Sequence, residues 1–212
     1  GKAAVAEMAA NAAMASDAAA ASDGQVDPIA RGVVAIEVSA AEVLTATADF
    51  ATVGRVGSGA FGVVYCAPLL PSLGAVAGAV AGAVTGVVAI KRMNDRSDAG
   101  LATLRREINL LRTCHHPNTL PLLGYCLELP YARCLVSPLC RGGNLEDRLF
   151  DTPSGRHRLA ILGLERDAPP LGWRERVRIL RDTVRGLVHL HAPTSASGGG
   201  KPRMLHQDIK PQ

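Results

Sequence analysis

The sequence predicts an α+β fold, with strands gathered first and helices after. Short β-prone runs at 33–38, Val87–Met93, 120–125 and 133–136 crowd into the first two thirds of the chain. One amphipathic helix breaks into them, because Leu101, Leu104, Ile108 and Leu111 recur at helical spacing. The longest helical pattern, Trp173–His191, follows the last strand.

At 212 residues the chain has room for one compact domain with tails. Hydrophobic residues make up 48% and charged residues 20%, which excludes wholesale disorder. Aromatics are only 3%, so the core must be built mainly of Ala, Val and Leu. The net charge of +4 is a weak argument for nucleic acid. The arginines between 174 and 185 alternate with Glu175 and Asp182, as on a solvated helix face, so no nucleic-acid partner is expected. Five cysteines without CxxC spacing predict neither a zinc site nor a disulfide framework, but small core fillers in a reducing compartment.

Residues 1–32 are Ala-rich and lack a large apolar stripe, so they read as a low-complexity tail. Ser39 then precedes a short helical pattern over Ala40–Ala46. No charged residue occurs from 56 to 90, and Gly74, Gly78, Gly82 and Gly86 recur every fourth position. A membrane span there was weighed. Ala and Gly contribute little to insertion and Pro68 and Pro71 interrupt its start, so 67–87 reads as a flexible loop insert. The 101–111 helix stops before His115-His116-Pro117, and 151–172 is polar and Pro/Gly-punctuated, a second loop insert. Along Trp173–His191, Trp173, Val177, Leu180, Val184 and Leu187 share one face, with Arg174, Glu175, Arg178 and Asp182 away from it.

Three places carry chemistry. Gly57, Ser58, Gly59 and Gly62, with Val63-Val64 following, form a GxGxxGxV run in β-prone sequence. Glycines suit a backbone that must approach phosphate oxygens. A strand-like continuation, where a dinucleotide fold would open a helix, favours a flap between two strands. Lys91 ends the apolar run Val88-Ala89-Ile90, where an amine is costly to bury unless it meets an anion. Glu107, at the margin of its helix stripe, could aim that amine by an ion pair. In the segment from Leu205 to Pro211, Asp208 could orient a hydroxyl and accept its proton, while Lys210 steadies a transferring phosphate.

Taken in order, these motifs resemble the protein-kinase family, most closely the plant receptor-like kinases and their cytoplasmic relatives. Ala46-Thr47-Ala48-Asp49-Phe50, His116-Pro117-Asn118, Leu123-Gly124-Tyr125-Cys126, the run from Gly143 to Leu149 and the run from Arg185 to His191 add to the match. The resemblance implies a small lobe over 33–136, an antiparallel sheet plus one helix. The hinge and first helices of an incomplete large lobe would follow over 137–212. It further implies that Gly57, Ser58, Gly59, Gly62, Val64, Ala89 and Lys91 bind ATP, that Glu107 fixes Lys91, and that Asp208 and Lys210 act in transfer. Ser137 falls at the gatekeeper position, with the Pro138 carbonyl and the Cys140 N–H facing adenine. The implied function is transfer of the ATP γ-phosphate to Ser/Thr hydroxyls of a protein substrate, with Mg²⁺. The implied location is the cytoplasm, or the cytoplasmic part of a membrane receptor. A membrane span in the first insert would put the glycine loop and Lys91 on opposite sides of a bilayer, so the two readings exclude each other.

Two departures matter. Gln207 stands where the family has the Arg that pairs with a phosphorylated activation loop, which favours a non-catalytic, pseudokinase-like alternative. The family's Mg²⁺-ligating Asn is expected directly after Gln212, with Asp-Phe-Gly further on. No metal ligand is therefore assigned here, and these 212 residues alone are expected not to transfer phosphate. The histidines at 189, 191 and 206 are read as packing and loop-bracing residues.

Overall fold

The computed structural model describes residues 34–79, 86–140, 142–150, 152–161, 171–193, 201–206 and 209–210. The Ala-rich tail lies outside them, as do residues 80–85 of the Gly-repeat stretch and the residues Gln207 and Asp208. The described residues divide into two compact units, one within 28–112 and 121–139 and one within 113–120 and 140–212.

The first unit is built on a sheet whose described strands are β1 (Ile36–Glu37), β2 (Arg55–Ser58), β3 (Gly62–Pro68), β4 (Val87–Met93), β5 (Gly124–Cys126) and β6 (Cys134–Pro138), in the order β1-β5-β6-β4-β3-β2. The expected antiparallel pairing holds from β5 to β2, whereas β1 joins β5 in parallel and makes the sheet mixed. Helix α1 (Ala40–Ala46) begins where expected, capped by the Ser39 side chain accepting from the Glu42 N–H at 3.2 Å. Behind the sheet, Val43, Tyr65, Leu73, Ile90, Leu123 and Val136 belong to one core cluster.

The first insert departs from the loop expected for it. Leu70 and Leu73 are 1% and 0% exposed, and a short helix α2 (Gly74–Ala79) follows. The Ser72 N–H donates to the Glu42 carboxylate at 2.9 Å, and Leu69 N–H to the Gly86 carbonyl closes the base. Two leucines amid small residues suffice to bury this part, because their apolar area gains more from the core than from water.

Helix α3 (Asp98–Leu111) starts three residues earlier than its apolar spacing indicated, because Ser97 supplies the cap by accepting from the Gly100 N–H. Ala48, Asp49 and Phe50 have φ of 47°, 55° and 57°, three successive non-glycine residues in the left-handed region. The turn is held by the Phe50 N–H donating to Thr47 Oγ1 at 3.1 Å. Phe50 packs on Tyr65 with ring centroids 5.3 Å apart, and the Arg92 guanidinium lies 4.6 Å above its ring.

The second unit contains α4 (Leu145–Leu149), α5 (Pro153–Ile161) and α6 (Trp173–His191). α5 replaces part of the loop expected over 151–172. It lacks an apolar stripe and is tied down by Arg158, whose Nε donates to Asp147 Oδ2 at 2.9 Å while Nη2 reaches Oδ1. α6 has the expected bounds, but its buried residues are Ile179, Asp182, Gly186 and Leu190. The apolar stripe that the sequence brings together is exposed: Trp173 at 78%, Leu180 at 64% and Val184 at 56%. Asp182, expected on the outer face, is buried and accepts from Arg181 Nε at 2.9 Å. Gly186 is what permits this packing, since a Cβ there would lie 2.5 Å from the Asn118 carbonyl.

The five cysteines, all among the described residues, are not paired in disulfides, and Cys114, Cys126 and Cys134 are buried. Among the described residues no helix is long and apolar enough to cross a membrane.

Candidate functional site

Alternation along three neighbouring strands sorts the sheet into two faces. Tyr65 and Ala67, Val88 and Ile90, Cys134 and Val136 point to the core. The opposite face carries Val64 and Cys66 on β3, Ala89 and Lys91 on β4, and Leu135 and Ser137 on β6. Register lines them up, with Lys91 between Val64 and Leu135 and Ala89 between Cys66 and Ser137. Four predicted site residues, Val64, Ala89, Lys91 and Ser137, thus share one face and are each half-exposed. Cys66 and Leu135 belong to the same face, and period-two alternation was the signal that could have found them.

The glycine run is a hairpin between β2 and β3, with Gly57 opposite Val64. At its turn the Gly59 N–H donates to the Gly62 carbonyl at 2.9 Å. Gly62 is dictated by the fold, because a Cβ there would lie 2.5 Å from the Arg92 carbonyl oxygen. Gly59 meets nothing within 4 Å, and Gly57 meets only Val64 at ordinary contact distance. Neither has a positive φ. The protein itself gives no reason for glycine at these two positions, whereas a phosphate brought against the backbone would. Ser58 ends β2 and is exposed beside them.

Glu107 lies inside the buried stripe of α3, at 2% exposure beside Leu104, Ile108 and Leu111, and not at its margin. A carboxylate so placed is costly unless charge or hydrogen bonds compensate it. Glu107 and Lys91 belong to the same compact unit. β6 ends at Ser137 and Pro138, with Pro138 opposite Val88.

Cys140 belongs to the second unit, where its carbonyl accepts from the Gly143 N–H at 3.2 Å and burial pushes its thiol up to about 12. His206 is buried and Lys210 exposed, while Asp208 lies outside the described residues. The segment leading to His206 is fastened to the end of α6. The Met204 N–H donates to the Leu190 carbonyl at 2.9 Å, and Lys201 Nζ donates to the carbonyls of Leu190 at 3.0 Å and Ala192 at 2.7 Å. Lys201, only 4% exposed, caps the negative end of the helix, a role the sequence reading missed. Among the described residues no group of three or more His, Cys, Asp or Glu is placed to hold a metal ion.

The family model for protein tyrosine and serine/threonine kinases matches residues 50–199. The chain belongs to the protein kinase family. This kinase domain is 32% identical over 165 residues to an Arabidopsis thaliana protein named Probable L-type lectin-domain containing receptor kinase I.2, covering 78% of this chain and 20% of that one. It is 32% identical over 169 residues to Probable serine/threonine-protein kinase PBL22 of the same plant, covering 80% of this chain and 36% of that protein. The corresponding figure for Receptor-like protein kinase THESEUS 1 is 31%, covering 80% and 16%. The chain therefore spans well under half the length of these relatives. Among solved structures, the pseudokinase DRIK1 bound to ENMD-2076 is 25% identical, with a TM-score of 0.52 over 73% of this chain and 51% of that one. An apo pseudokinase at 24% identity and TM-score 0.53, covering 74% and 48%, shares the fold.

Proposed function

We propose that this kinase chain supplies the ATP-binding part of a protein serine/threonine kinase working in the cytoplasm, or as the cytoplasmic part of a membrane receptor. The observation that carries the proposal is the half-exposed sheet face bearing Val64, Ala89, Lys91 and Ser137, continuous through β3 with a hairpin whose Gly57 and Gly59 leave room for an approaching phosphate. ATP, with Mg²⁺, supplies the phosphoryl group that passes to a protein Ser/Thr hydroxyl. The chain's own residues hold and orient. Backbone N–H groups around Gly57, Ser58, Gly59 and Gly62 cover the phosphates, Lys91 neutralises them, and Glu107 fixes Lys91. Ala89, Ser137, Pro138 and Cys140 receive the adenine, with Pro138 offering a carbonyl and Cys140 an N–H. Asp208 orients the acceptor hydroxyl and takes its proton, and Lys210 steadies the phosphate.

The test is titration of the 212-residue chain with a fluorescent ATP analogue, beside Lys91→Met. Saturable binding that weakens tenfold or more in the variant is expected; no saturable binding overturns the proposal. Gln207, in place of the usual Arg, supports a second reading as a nucleotide-binding pseudokinase. Phosphate transfer to a Ser/Thr-containing protein by a chain extended through a complete kinase domain, abolished by Asp208→Asn, separates the two. Binding without transfer selects the pseudokinase.

A further inference from the structure

Lys91's strand ends at Met93, and the four residues after it touch both elements that would face the ATP phosphates. Asn94 holds the glycine hairpin. Its side-chain amide donates to the carbonyls of Gly59 at 3.2 Å and Ala60 at 3.1 Å, and its N–H donates to the Phe61 carbonyl at 3.1 Å. Asp95 folds over the start of α3, accepting from the Ser97 N–H at 2.9 Å and the Ser97 hydroxyl at 2.6 Å. The fold leaves no slack there, since a Cβ on Gly100 would lie 2.5 Å from Asp95 Cγ.

Arg133 holds the same turn from the other side. Its guanidinium Nη1 donates to the carbonyls of Arg96 at 2.9 Å and Ser97 at 2.8 Å, and its own carbonyl accepts from the Met93 N–H at 2.9 Å. It is 5% exposed. A buried cation near the positive end of a helix is electrostatically expensive, and Arg133 Nε finds no acceptor among the described residues. The nearby Asp95 offsets part of that cost; its carboxyl is held below the usual range first by Ser97 and further by the Arg133 charge. A methionine would fill such a position more cheaply if packing were all it required.

We propose that Arg133 and Asn94 are positioning residues for the phosphates of ATP, acting through the one turn that fastens the glycine hairpin to the start of α3. The inference rests on the ATP reading above. Glu107 lies ten residues into α3 from Ser97, about 15 Å along a rigid helix, so a tilt at the Arg133 anchor displaces Glu107. Asn94 sets the hairpin that would cover the same phosphates. Arg133 and Asn94 lie at the ends of β6 and β4 opposite to Ser137, Pro138 and Val88.

The test compares ATP with adenosine, which lacks phosphates, on the 212-residue chain and on Arg133→Met, Arg133→Lys and Asn94→Ala. Hydrogen exchange is followed in peptides spanning 57–66 and 98–111. Expected results are a fivefold or greater loss of ATP affinity in Arg133→Met and Asn94→Ala, adenosine affinity within twofold of the parent, and partial recovery in Arg133→Lys. Exchange should quicken in 98–111 for Arg133→Met and in 57–66 for Asn94→Ala. Equal losses of ATP and adenosine affinity would mean a merely structural role and overturn the proposal, as would unchanged ATP affinity. A parent chain that binds ATP no better than adenosine removes the phosphate-site reading itself and the positioning role with it. Should Arg133→Met fail to fold, Asn94→Ala, an exposed substitution, decides alone.

Discussion

Gly59 donates its N–H to the carbonyl of Gly62 at 2.9 Å, yet the two glycines exist for different reasons. A methyl on Gly62 would strike the Arg92 carbonyl at 2.5 Å, whereas one on Gly59 would meet open space. Gly62→Ala is therefore expected to destabilise the first unit by about 1–3 kcal/mol, the ordinary cost of overpacking. Gly59→Ala should leave thermal stability within about 0.5 kcal/mol, as for surface substitutions, but weaken ATP binding several-fold. Melting curves beside nucleotide titrations check both. Equal effects in both assays would show that the glycines serve only the hairpin.

The left-handed run Ala48-Asp49-Phe50 stores strain. Ala48 and Asp49 are exposed, so replacing either removes no core contact. A left-handed L-residue costs about 1–2 kcal/mol that glycine does not incur, offset partly by glycine's freer unfolded state. Ala48→Gly and Asp49→Gly are each expected to stabilise the first unit by about 0.5–1 kcal/mol. Denaturant midpoints measure it, and a loss of stability in both would mean the turn is not strained.

Helices α1 and α6 and strand β4 were legible in the sequence because caps and periodicity are local signals. What covers a helix is not local: the α6 stripe was visible as a stripe, but Ile179, Asp182 and Gly186 are the residues that are buried. α5 was invisible because an ion pair to Asp147, not an apolar stripe, secures it. At the site, the glycine spacing and the apolar run before Lys91 were legible as a hairpin and a strand, whereas Ser137 was reached only through the family resemblance. Asn94, Arg133 and Lys201 had no motif, because each acts on main-chain carbonyls that the folded chain, not a short sequence window, brings to it.

The Asp147–Arg158 pair makes a quantitative case. The Asp147 side chain is 2% exposed and that of Arg158 32%, so removing the arginine strands a carboxylate that cannot reach bulk water. Arg158→Ala is expected to cost about 2 kcal/mol, less than for a fully buried pair because the guanidinium is partly solvated. The Asp147→Asn/Arg158→Ala double variant should recover part of that loss, since a neutral amide is cheaper to bury. Chemical denaturation of Arg158→Ala, Asp147→Asn and the double variant tests the coupling, and strict additivity would show that the pair contributes no interaction of its own.

Acid should loosen the second unit through His189. Its ring stacks on His116 with centroids 4.8 Å apart, and His116 Nδ1 accepts from the Asn118 N–H at 3.0 Å. Burial, first, and the neighbouring His116, Lys201 and His115 hold the His189 pKa below its ordinary value. The unfolded chain therefore binds a proton at higher pH than the folded one. The contribution to stability is complete above the unfolded value of about 6.5 and declines as pH falls toward the depressed folded value. The expected result is a lower unfolding midpoint for the second unit at pH 5.5 than at pH 8. His189→Phe, which keeps an aromatic ring over His116 without the charge, should flatten that dependence. A pH profile identical in the parent and His189→Phe would assign the acid sensitivity to other groups.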